Sequence, residues 1–76
     1  MKLTYQDVIL DNDTPDREAK LVFREGNLRA VLSRLSAMHG ELAGHWFIEA
    51  TFEGPPRPGL LTFETLEQFE QWLASR

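Results

Sequence analysis

The stretch Ala19-Lys20-Leu21-Val22-Phe23-Arg24-Glu25-Gly26-Asn27-Leu28-Arg29-Ala30-Val31-Leu32-Ser33-Arg34-Leu35 decides the fold. Its first part sets Leu21, Val22 and Phe23 side by side, and Gly26 stops any helix early, so residues 19–24 read as a strand. The competing reading starts a helix at Thr14, with Pro15 in the first helical position. Beyond Gly26, Asn27 stands as a helix cap. Leu28, Val31, Leu32 and Leu35 then recur at i, i+3, i+4 and i+7, one apolar face at helical period. Met38 extends that stripe and Gly40 supplies a stop, so the spacing predicts a first helix ending near His39.

On the N-terminal side, residues 2–10 alternate at period two: Leu3, Tyr5 and Ile9 point one way, Thr4, Gln6 and Val8 the other. A run of turn formers, Asp11-Asn12-Asp13-Thr14-Pro15-Asp16, follows this strand. On the C-terminal side, residues 45–53 form the clearest strand. Trp46, Ile48, Ala50 and Phe52 are expected inward, with His45, Phe47, Glu49, Thr51 and Glu53 facing away. The proline-rich stretch 54–59 has no place in a sheet interior. Leu60 to Glu64 reads as a short strand with Leu61 and Phe63 inward. Thr65 and Gln68 then make a capping box for a last helix buried through Leu66, Phe69 and Leu73.

The fold expected is α+β, a two-layer ββαββα chain: one four-stranded antiparallel sheet with both helices packed on one face. Residues 1–76 form one domain, in which residues 1–39 and 45–76 resemble each other as a ββα pseudo-repeat. In both halves a strand leads through a polar cap into an apolar stripe, Leu28, Val31 and Leu35 matching Leu66, Phe69 and Leu73.

The chain has 76 residues, 42% hydrophobic and 26% charged, with a net charge of −4. A domain this short buries only about 60% of its unfolded surface. It contains no cysteine, which excludes disulfides and thiolate metal sites and favours a reducing cytoplasm. Gln6 and Asp7 interrupt any signal-like apolar stretch, and nothing approaches the ~20 apolar residues of a membrane span. The acidic balance disfavours nucleic acid, although cations gather in the first half and carboxylates in the second.

No cofactor motif or catalytic constellation stands out. Asp11, Asp13 and Asp16 lack the glycine and final glutamate of a calcium loop and read as a solvated turn. His39 is expected to cap a helix C-terminus. His45 and Glu49 share a strand face but lie roughly 13 Å apart along it, too far to share one metal. What remains is surface. The sheet face away from the helices is expected to carry Val8, Val22, Phe47 and Leu60 as an apolar patch rimmed by Lys20, Arg24 and Glu49. This favours a non-catalytic protein-interaction module of adaptor or inhibitor type, self-associating as a homodimer through the open sheet face or binding another protein. Two alternatives stand beside it. One is a nucleic-acid binder using Lys20, Arg24, Arg29 and Arg34. The other is a small enzyme at a subunit interface with Tyr5, His45 and Glu49 as its candidate groups.

Overall fold

Glu25 and Gly26 both take positive φ, 52° and 84°. Two successive left-handed residues make the tight hairpin turn whose twist matches that of the flanking strands. The chain therefore reverses at Gly26, and residues Asn27–Arg34 form a strand, not the helix that their spacing predicts. In this computed structural model, which describes residues 2–52 and 62–74, the order is β1 (Leu3–Ile9), β2 (Glu18–Arg24), β3 (Asn27–Arg34), a 3-10 segment (Ala37–Leu42), β4 (Trp46–Thr51), β5 (Thr62–Phe63) and α1 (Leu66–Ala74). Leu60, Leu61 and the proline-rich stretch lie outside the described residues.

The α+β class and the antiparallel sheet stand. Among the described residues the sheet has five strands where four were expected, in the order β1-β2-β3-β4-β5, an open meander, and one α-helix packs on it where two were expected. The reason lies in β3. A central strand is buried on both faces, so apolar residues fall at consecutive positions and satisfy a helical template by accident. Ala30 and Leu32 enter the core, while Val31 and Ser33 face the other side. Met38, expected on a helix stripe, is 69% exposed.

Helix α1 forms as its sequence predicts. The Gln68 N–H donates to Thr65 Oγ1 at 3.2 Å, and the Glu64 N–H donates to Gln68 Oε1 at 2.8 Å. These two bonds satisfy donors that the first turn leaves open. Phe69 is fully buried and Leu73 nearly so. They close over Val22, Ala30, Leu32, Trp46 and Phe63, with Leu3, Tyr5, Ile48, Leu66 and Trp72 at the margin. Phe63 meets Phe69 edge-to-face at 5.6 Å, and Trp72 at the same distance. Burying a side chain such as Phe69 contributes roughly 1.5–3 kcal/mol.

Two bulges reset the phase of the strands. Val22 pairs with Ala30 but Phe23 pairs with Leu28, which leaves Arg29 as the extra residue. Val31 pairs with Ala50 but Leu32 pairs with Ile48, which leaves Glu49 extra. A bulge puts two residues opposite one, and a one-residue slip exchanges the faces. Trp46 and Ile48 therefore point into the core as expected, while Ala50 lies across from Val31 and Phe52 is 62% exposed.

Candidate functional site

Register and alternation sort the side chains onto two faces. Tyr5 lies across from Val22, and Val22 from Ala30. That row carries the helix. The second face carries Gln6, Leu21 and Val31 in one row and Val8, Ala19, Ser33 and Phe47 in the next. Leu21, Val31, Phe47 and Val8 are each half-buried, whereas Ala19 and Ser33 are buried outright. Ser33 Oγ donates to Glu49 Oε2 at 2.7 Å, which places that carboxylate over the middle of the second face.

The expected patch is thus divided. Val8, Phe47 and Glu49 share the second face. Val22 is fully buried beneath the helix, and Lys20 and Arg24 alternate with it on that same side of β2. Leu60 lies outside the described residues. The inverted phase of β2 follows from its composition. Leu21, Val22 and Phe23 offer an apolar residue to either face, so pairing with Tyr5 chooses the face and periodicity does not.

The basic strip is likewise dispersed. Lys20 forms an ion pair with Asp7, and its Nζ sits 5.6 Å from the centre of the Trp46 ring. Arg34 pairs with Glu18 at 3.2 Å and lies over Trp46, also at 5.6 Å. The two cations make cation–π contacts with the indole while each is also paired with a carboxylate. Asp7, Ile9, Glu18, Lys20, Arg34 and Trp46 line an open depression of about 380 Å³ here. Arg29 is buried on the β3 bulge and Arg24 sits near the hairpin turn, away from this cluster.

The acid–base candidates do not converge either. Tyr5 donates its hydroxyl to Glu70, which ties β1 to α1. Burial, then the hydrogen bond to Glu70 and the charges of Glu70 and Glu67, push its phenol well above the ordinary value. Glu49 is on the opposite face, and His45 Nδ1–H donates to the Leu42 carbonyl at 3.0 Å.

A third constellation has no counterpart in the sequence reading. Asp16 Oδ1 accepts the Ser36 N–H at 2.8 Å, and Asp16 Oδ2 lies 2.6 Å from His39 Nε2. His39 beside it, and then the Ser36 amide, hold the Asp16 carboxyl at about 2, against an ordinary 3.8. His39 is thus engaged by the Asp16 side chain, and the helix it was expected to end is replaced by β3 and the 3-10 segment, in whose last turn it lies. The neighbouring turn is satisfied internally: Asn12 Oδ1 accepts from the Thr14 N–H and hydroxyl, and Asn12 Nδ2 donates to the Asp16 carbonyl. Among the described residues no group of three or more His, Cys, Asp or Glu is placed to hold a metal ion, and no helix is long and apolar enough to cross a membrane.

Comparison of the chain with protein-family models, with curated proteins and with solved structures returns no match.

Proposed function

We propose that the protein is a non-catalytic protein-interaction module that self-associates through its open sheet. One observation carries this reading. The five-stranded meander ends on one side in a seven-residue strand, β1, with no described strand beside it. On the second face this strand presents Val8, half-buried beside Ala19 of β2. An open sheet of this kind offers a second chain both backbone pairing and apolar contact. A homodimer also supplies the buried area that so short a chain lacks alone. The second face, with Val8, Phe47 and Glu49, is the surface available to a further protein partner of adaptor or inhibitor type. The absence of cysteine suits a reducing compartment, and we place the protein in the cytoplasm.

Association that accompanies folding makes the melting temperature depend on protein concentration. Melts followed by the two tryptophans over a hundredfold dilution should shift to lower temperature as the chain is diluted. A melting temperature independent of concentration would overturn the reading.

A further inference from the structure

β1 stands at one edge of the sheet, runs seven residues without proline and pairs with β2 without a bulge from Leu3 to Ile9. Natural edge strands are usually blunted by shortness, by proline, by bulges or by an unpaired charge. The one charge within β1, Asp7, is committed to Lys20 of its own sheet.

The hydrogen-bond phase of β1 can be read from its two ends. The Lys2 carbonyl accepts the Glu25 N–H, and the Leu10 N–H donates to the Arg17 carbonyl at 2.7 Å. Both are even-numbered positions. In a regular antiparallel strand alternate residues direct both backbone groups to the same side. Thr4, Gln6 and Val8 therefore bond towards β2. The N–H and C=O groups of Leu3, Tyr5, Asp7 and Ile9 point outward, where the described residues place no strand.

From this phase and the sequence of the strand, we infer that β1 pairs antiparallel with β1 of a second copy about a two-fold axis through Gln6. The inference rests on the self-association proposed above and names where the copies meet. In this register Leu3 faces Ile9 of the second copy, Tyr5 faces Asp7, Thr4 faces Val8, and Gln6 faces Gln6. All four outward residues find outward partners, and four pairs exchanging two bonds each give about eight hydrogen bonds. Ile9, 67% exposed in the single chain, is covered by Leu3. Tyr5 and Asp7 already hold Glu70 and Lys20, so the pairing strands neither polar group. Neighbouring registers are worse. Centring on Tyr5 sets Leu3 against Asp7, and centring on Asp7 sets two carboxylates face to face. The axis stands perpendicular to the sheet, so the dimer is one ten-stranded sheet with both helices on one side and two continuous second faces on the other.

Gln6 is exposed, so its variants keep the fold while meeting themselves in this register only. Gln6→Lys and Gln6→Glu, weighed separately by light scattering, should each lose the dimer, and an equimolar mixture should regain it. Mild oxidation of Gln6→Cys should give a covalent dimer, because opposed residues of a non-hydrogen-bonded pair sit at disulfide distance. Thr4→Cys, facing Val8, should not. Phe47→Glu should keep the dimer. A dimer that survives Gln6→Lys, or Thr4→Cys cross-linking as readily as Gln6→Cys, overturns the inference. Loss of the dimer in Phe47→Glu with retention in Gln6→Lys moves the contact to the second face and leaves self-association standing. A wild-type chain that is monomeric throughout ends both.

Discussion

Residues 28–35 and 66–73 carry nearly the same apolar spacing, yet one is a central strand and the other the helix that lies over it. The difference lies in what precedes each pattern. Before Leu28 stand Glu25 and Gly26, both at positive φ, a pair that closes a hairpin. Before Leu66 stands Thr65, whose hydroxyl accepts the Gln68 N–H and starts a helix. An apolar stripe at period 3–4 is therefore ambiguous in a short chain, and the residues that punctuate it decide.

The comparison is broken most severely at the core. Phe69→Ala removes a fully buried ring from the helix side and should cost about 3–5 kcal/mol. Leu28→Ala, at the first position of the other stripe, should cost less than about 1 kcal/mol because that side chain is 42% exposed. Chemical denaturation of both variants checks the contrast; equal losses would mean that residues 28–35 bury one helical face after all. The punctuation itself is tested by a smaller pair of effects. Gly26→Ala meets nothing within 4 Å, so its cost is backbone strain alone at φ +84°, on the order of 1–2 kcal/mol. Thr65→Ala should cost about 1 kcal/mol and lower helical circular dichroism, which Gly26→Ala should leave in place.

Much of the architecture was legible because local chemistry fixed it. The alternation of Leu3 and Tyr5, the inward Trp46 and Ile48, and the Thr65–Gln68 cap each follow from residues a few positions apart. What stayed illegible depends on contacts made at a distance. The face of β2 is chosen by pairing with β1, and Ala50 and Phe52 change sides at a bulge that only the β3 register reveals. Of the expected interface, Val8, Phe47 and Glu49 share a face, while Val22 is drawn into the core because either side of β2 would accept an apolar residue. The Asp16–His39 contact joins positions that no spacing rule connects. The same holds for the cation–π contacts of Lys20 and Arg34 with Trp46.

The edge of the sheet repeats the lesson in another form. β1 reads in the sequence as an ordinary strand, and its significance comes from its place at the end of the meander, with the backbone groups of its odd-numbered residues directed outward. The claim that this open sheet brings two copies together is tested most directly by the solution mass of the wild-type chain, from size-exclusion chromatography with light scattering across a range of concentrations. The account predicts a species of twice the 8.8 kDa chain mass that dissociates on dilution. A single 8.8 kDa species at every concentration would contradict it.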